Sequence, residues 1–500
     1  MHRRDFLKLT TAAGSISILG CQSISNKNAS QDAINILIDP SKTKHPVPPV
    51  RGAMWMFREN RTKSPSRGFD GLPATSSNGI KPDGEGDSYG SLVHMKEENV
   101  ALAAETGINT FRCGFIHSFL EDRDKPYSYF KDSFVLIEKL FDICQKYGIK
   151  CIFDLHNAIG RDYGGDPRLW QDQELQNRFI AVWEQIVKYF KDHPAIIAYE
   201  PLNEPEPRHI KDFTIRYALW NDLSKRAVDI IRRYDTEKPI IIDSIEYAHP
   251  SAFAGLEPID DPNIWYSFHW YEPRPFHMQK RPWLKDQGVY HYPDTYNNTF
   301  WDRDTIKNRW KQPLEFSKEN NAPLFVGEFG CVSNCPKMED MVWLLDVISL
   351  MDELNIGFTY YHYMALSTNP YWNTYFDCGM FTYNLKEQKL YVFKRKVSLL
   401  SELMKLDGEV LIVEQPDDPW VTVHAIKEKN GNLQIFLSNK SRDVNKNIIL
   451  TIDKIKAVTE KKMGLDTEGF ISVTGPGLRP EGSLQLNLNP LSIIKLTVEI

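Results

Sequence analysis

Ile196-Ile197-Ala198-Tyr199-Glu200-Pro201-Leu202-Asn203-Glu204-Pro205 is a short apolar run that closes on a polar cluster. Pro201 and Pro205 deny it a helical interior, and its length and lack of alternation suit a strand buried on both faces of a parallel sheet. The same design recurs on either side, from Val50 to Met56, Ile108 to Gly114, Lys150 to His156, Pro239 to Ser244, Ile264 to Tyr271, Pro323 to Phe329 and Gly357 to Tyr363. Helical periods fill the intervals. Leu136, Ile137, Leu140, Phe141, Cys144 and Tyr147 recur at three and four residues, and Gly148 follows as a stop. Phe179, Trp183, Ile186, Val187 and Phe190 make a second stripe, and Trp220, Leu223, Ala227, Ile230 and Ile231 a third. Strands that alternate with amphipathic helices build βαβ units. Eight of them close most economically into a barrel, so the expected fold is α/β, a (β/α)8 TIM barrel over residues 46–406. An open doubly wound sheet is the other arrangement of the same units.

Past about residue 407 the period changes to two, as in Val421, Val423 and Ala425, then Leu433, Ile435 and Leu437, with Asn430-Gly431 between as a hairpin turn. A small C-terminal antiparallel β-sandwich over 407–500 is expected, packed against the barrel, because its strands carry no run of exposed aromatics. At the other end, Arg3-Arg4-Asp5-Phe6-Leu7-Lys8 precedes a small apolar run from Leu9 to Leu19 that ends in Gly20-Cys21. The run is shorter than the ~20 residues of a membrane span. It resembles a twin-arginine export signal closed by a lipoprotein cleavage site, with Cys21 as the lipid acceptor. Residues 1–21 then read as signal and 22–45, rich in Ser, Asn, Lys and Asp, as a tether. The expected location is periplasmic or cell-surface, with the membrane touched only through the lipid.

Across 500 residues, 42% apolar and 12% aromatic content is enough to bury a large core. A formal net charge of −6 offers nothing to a nucleic-acid backbone or an anionic surface. Cys113, Cys144 and Cys151 fall in expected strands and on an apolar helix face, as buried thiols do. Cys331, Cys335 and Cys378 fall near barrel loops, where an extracytoplasmic disulfide is open to them. None of the spacings is that of a zinc site.

In such a barrel the ligand meets the C-terminal ends of the strands, and those ends are unusual here. Strand two carries Arg112, strand three ends in His156-Asn157, strand four in Asn203-Glu204, strand six in His269-Trp270-Tyr271 and strand seven in Glu328-Phe329-Gly330. A retaining glycosidase needs one carboxylic acid to protonate the leaving oxygen and a carboxylate about 5–5.5 Å away to attack the anomeric carbon. Glu204 and Glu328, from strands four and seven, meet that need, and Arg112 is the cation that would keep Glu328 charged. Glu200 and Glu206 flank Glu204, but Glu200 lies within the strand and Glu206 beyond Pro205.

Gly107 to Arg112, Asp154-Leu155-His156-Asn157, Tyr199 to Pro205, Ser267 to Tyr271 and Val326 to Gly330 resemble, in order, the strand signatures of glycoside hydrolase family 5. Pro273 to Gln279 resembles a further family segment, with Met278 intervening. The resemblance implies Glu204 as acid/base and Glu328 as nucleophile, with Asn203 bonded to the sugar 2-hydroxyl. It implies His156 and His269 along the same subsite, Arg112 holding Glu328 ionised, and Tyr271 hydrogen-bonded to Glu328. The family commonly places a Trp at strand eight. This chain has Tyr360-Tyr361-His362-Tyr363, so Tyr361, Tyr363 or Trp372 is expected to take that place. The implied reaction is double displacement on a β-linked polysaccharide or oligosaccharide, with neither metal nor cofactor. A β-mannanase, an exo-β-glycosidase and a transglycosylase share the same carboxylate pair, and a glycan-binding lipoprotein is the non-catalytic alternative.

Overall fold

Eight parallel strands, each ending at one rim, form the centre of the molecule: β1 (Arg51–Met56), β2 (Thr110–Ile116), β3 (Lys150–Asn157), β4 (Ile196–Glu200), β5 (Ile240–Asp243), β6 (Ile264–Trp270), β7 (Leu324–Phe329) and β8 (Gly357–Tyr360). Each pairs with its neighbours in chain order, and β8 pairs with β1, which closes the barrel. All eight lie where the apolar runs predict, within a few residues. The computed structural model describes residues 33–57, 92, 95–161, 167–280, 285–332, 334–367, 378–384, 387–477, 479 and 482–500.

Strand β4 stops at Glu200, earlier than expected, because Pro201 has no N–H to extend the ladder. Asn203 and Glu204 therefore sit on the turn that follows. Inside the barrel, Val50, Ile152, Ala198, Ile241 and Phe325 plug the end opposite that rim. Outside, helices cover the strands. Helix Lys131–Lys146 buries Phe134, Ile137, Leu140, Phe141 and Cys144, and Gly148 ends its chain path at φ 72°, where a side chain would be strained. Helix Gln173–Phe190 starts on an Asp172 carboxylate that accepts from Glu174 N–H, and its stripe of Phe179, Trp183, Ile186, Val187 and Phe190 is fully buried. Each such side chain contributes about 1.5–3 kcal/mol on removal from water.

The C-terminal strands form the expected sandwich, with one correction. Part of the segment read as a tether is structural: Ile34–Ile38 pairs in parallel with Lys446–Ile452, and Thr43–Pro46 pairs antiparallel with Gly408–Leu411. Ile36 and Ile38 enter the sandwich core beside Ile448 and Leu450, while Leu37 faces water. A five-residue alternation among polar tracts is a weak signal, and only the partner strands make it decisive. The sandwich docks on the barrel through buried polar pairs. Lys440 Nζ lies 2.8 Å from Asp346 Oδ2, which also accepts from the Tyr292 hydroxyl at 2.6 Å. His424 Nε2 stands 2.9 Å from Asp352 Oδ2, and Asp352 pairs with Arg51. Buried charges of this kind fix orientation, because a misdocked surface would leave them unpaired.

All six cysteines from Cys113 onward are buried thiols, Cys331, Cys335 and Cys378 included. Cys21 and the signal reading fall outside the described residues.

Candidate active site

Glu204 occupies the turn after β4 in a left-handed backbone conformation, φ 44°, that a non-glycine residue adopts only when held. Two neighbours hold it. Its N–H donates to Asp243 Oδ2 at 2.9 Å, and its carbonyl accepts from the Arg161 guanidinium. The side chain stays 16% exposed, and Oε1 lies 2.9 Å from His269 Nδ1. A reacting group could therefore reach this carboxyl from the cleft.

Across the cleft, Glu328 on β7 is nearly buried. Its Oε1 accepts from Arg112 Nη1 at 2.8 Å and its Oε2 from the Tyr271 hydroxyl at 2.9 Å, with His269 Nδ1 at 3.8 Å from Oε2. Burial alone would raise this carboxyl. The charges of His269 and Arg112 outweigh burial and hold it below the ordinary range, so Glu328 is ionised at neutral pH. Carboxylate oxygens of Glu204 and Glu328 come within 4.8 Å of each other. That spacing is the retaining one and leaves no room for the water of an inverting site.

Arg112 organises the floor. Buried completely, it makes a two-pronged contact with Glu200, reaches Glu328, and donates from Nη2 to Asn203 Oδ1 at 2.8 Å. Asn203 thus has its carbonyl committed to the protein and its amide N–H groups left to donate, one toward His156 Nε2 at 3.3 Å. His156 Nδ1 lies 2.7 Å from Asp154 Oδ2. Burial pushes His156 down to about 3 and Asp154 up to about 8, the latter against the pull of Arg112. This imidazole is neutral at neutral pH, and one proton lies between it and Asp154. His269 is the opposite case. Burial works against its charge, but Glu328, Asp243 and Glu204 raise it to about 9, so it stands as an imidazolium. Glu204, His269 and Glu328 converge on one another at the rim of the cleft.

Glycine makes this crowding feasible. A Cβ on Gly327 would stand 2.7 Å from His269 Nε2, so no larger residue can precede Glu328 without moving that ring.

The match to the family model for cellulase, glycosyl hydrolase family 5, runs over residues 75–367. The chain belongs to glycosyl hydrolase family 5. It is a family 5 glycoside hydrolase, and its relatives carry related names. Endoglucanase C of Acetivibrio thermocellus is 27% identical over 303 residues, which is 55% of this chain and 86% of the relative. Cellodextrinase A of Ruminococcus flavefaciens is 25% identical over 256 residues, 50% of this chain and 72% of the relative. A hyperthermophilic endo-β-1,4-glucanase solved with substrate aligns with TM-score 0.53 at 20% identity, over 70% of this chain and 97% of that one. The last likeness is one of fold.

The site of this family 5 chain brings together seven of the residues expected from sequence: Glu204, Glu328, Arg112, His156, Asn203, His269 and Tyr271. Tyr361 joins them, with its ring 6.3 Å from that of Tyr271 and roughly perpendicular to it. Tyr363 does not. It is buried on the helix side of the barrel wall, 5.2 Å from the rings of Trp55 and Phe111, and its hydroxyl donates to the Asn99 carbonyl at 2.5 Å. Side chains alternate along an extended chain, so two residues beyond Tyr361 suggests the same face. The backbone leaves β8 at Tyr360, however, and that parity is lost. Trp372 lies outside the described residues.

Glu200 and Glu206 are excluded from the cleft by their partners, Arg112 and Arg216 respectively. Burial lifts Glu206 to about 7, with nearby Glu246 adding to it and Arg216 opposing. Sequence reasoning missed Asp243 and Arg161 and gave Asp154 no role. Asp243 was visible in principle, since it ends the apolar run Ile240-Ile241-Ile242 at the same rim as the residues that were chosen.

Proposed function

We propose that this chain is a retaining endo-β-glucanase acting on β-1,4-linked glucan, with Glu328 as nucleophile and Glu204 as general acid and then general base. The observation that carries the reading is the approach of two carboxylates to within 4.8 Å of each other in unlike surroundings. Glu328, ionised beside Arg112 and His269, attacks the anomeric carbon while the bond to the leaving oxygen breaks and Glu204 delivers its proton there. The resulting glycosyl ester at Glu328 is opened by water, from which Glu204 takes a proton as the ester bond breaks. An Asn203 amide N–H donates to the sugar 2-hydroxyl, a contact that tightens as charge develops at the ring. His156, neutral, lines the same subsite. Tyr271 holds the Glu328 oxygen that does not face Arg112, and Tyr361 supplies the aromatic floor. The names of the family 5 relatives support a glucan over a mannan.

The test is a 2-deoxy-2-fluoro-β-cellobiosyl fluoride. A stoichiometric mass increase on the peptide that contains Glu328 is expected, together with β-configured first products by NMR. Saturable binding without labelling would make the chain a glycan receptor, and faster turnover of mannan than of β-1,4-glucan would overturn the substrate. For location, the reading is an exported lipoprotein held at the membrane by Cys21, supported by Arg3-Arg4 and the apolar run before Gly20-Cys21. Labelled palmitate should enter the wild-type chain and not Cys21→Ser.

A further inference from the structure

Asp243 closes β5 and is completely buried. Its Oδ2 accepts the Glu204 backbone N–H at 2.9 Å and stands 3.6 Å from Nε2 of His269. The second distance is too long for a hydrogen bond and right for an ion pair. On the far side of that ring, Nδ1 lies 2.9 Å from Glu204 Oε1 and 3.8 Å from Glu328 Oε2. Among the described residues His269 Nε2 and Asp243 Oδ1 have no hydrogen-bond partner, so charge rather than hydrogen bonding couples this pair.

We propose that Asp243 is a positioning residue that pins the Glu204 backbone and keeps His269 an imidazolium, so that it sets the pH at which the ring gives up its second proton. This rests on the roles given above to Glu204 and Glu328. The surroundings of His269 favour its charge. Facing it are Glu204 and Glu200 from β4 and its turn, Asp243 from β5, Glu328 from β7 and Asp154 from β3. The cations nearby are Arg112, committed to Glu200 and Glu328, and Arg161, committed to backbone carbonyls of His156 and Glu204; neutral His156 and Tyr271 complete the pocket. Removing the Asp243 charge withdraws one carboxylate from the ring, so the imidazolium loses its proton more easily, while Glu204 and Glu328 still face Nδ1.

Asp243→Asn separates the two functions, because the amide oxygen can still accept the Glu204 N–H while the charge is gone. Read by its ring 15N shifts, His269 should lose its proton about one pH unit lower in Asp243→Asn than in the wild type, and Asp243→Glu should return it toward the wild-type position. A His269 titration that stays in place or moves up in Asp243→Asn overturns the proposal. A second measurement needs no variant and no turnover: the ring 15N shifts of His269 in the wild-type protein should be those of an imidazolium at neutral pH, and a neutral ring there overturns it equally. A wild-type enzyme without activity on an aryl β-cellobioside would instead count against the assigned reaction, and the nitrogen shifts of wild type against Asp243→Asn would still judge Asp243.

Discussion

The Arg112 guanidinium donates to Glu328 Oε1 at 2.8 Å across 216 residues of sequence. The same group grips Glu200 and Asn203, so one side chain joins β2, the β4 segment and β7 beneath the cleft. A planar fork can do this, and a lysine ammonium cannot. Arg112→Lys is therefore expected to lower kcat by about 100-fold or more. Its acidic limb should rise because one ammonium cannot stand against Glu200 and Glu328 at once, as a pH profile would read.

The two carboxylates fail differently when removed. Glu204→Ala should cost about 10²–10⁴-fold on a glucan whose leaving group needs a proton, and far less on a dinitrophenyl cellobioside, whose leaving group does not. Added azide should accelerate the second substrate, since the glycosyl ester still forms and the vacated space admits a nucleophile. Glu328→Gln should abolish both activities. Equal losses on the two substrates in Glu204→Ala would refute the acid assignment.

Tyr361 and Tyr363 separate floor from core. Tyr361→Ala should raise KM and lower kcat/KM with little change in thermal stability. Tyr363→Ala should leave activity per folded molecule intact while destabilising the protein by about 3–5 kcal/mol, measured by urea unfolding. Tyr363→Phe, which loses only the bond to Asn99, should cost about 1 kcal/mol.

Glu353 predicts an acid-labile contribution to stability. Burial would raise this carboxyl, but Arg303 at 2.6 Å and Lys307 at 2.7 Å lower it to about 2. A folded value below the unfolded value of about 4.3 means stability that is complete above that pH and lost as pH falls toward 2. Glu353→Gln should cost about 1–2 kcal/mol at pH 7, and its unfolding curve should merge with that of the wild type near pH 2.

Lys440→Met leaves Asp346 with its charge buried and its cation gone. A loss of about 3–5 kcal/mol is expected, seen as a lower Tm in calorimetry. Barrel and sandwich should still unfold in one transition, because His424–Asp352 and Arg442–Glu339 still join them.

Much of the molecule was legible before folding. Strands buried on two faces read as unbroken apolar runs, and amphipathic helices announce their buried stripe, so the barrel follows from local pattern. Most of the residues that meet at the rim were legible because they end those runs. Ile34–Ile38 was not, since a lone short strand means nothing without Lys446–Ile452 beside it. Tyr363 was misplaced because the chain bends after Tyr360, and alternation holds only while backbone stays extended.

Sequence alone settled the number of barrel strands and most of the polar side chains that they carry toward the rim, because each depends on residues close together in the chain. Only the tertiary structure decided which carboxylates face the cleft and which are neutralised: Glu200 by Arg112, Glu206 by Arg216, Glu328 held ionised, and His269 charged between Asp243 and Glu204. Those states depend on Coulomb energy and desolvation over a few ångströms, and the charges concerned come from strands that meet only when the barrel closes.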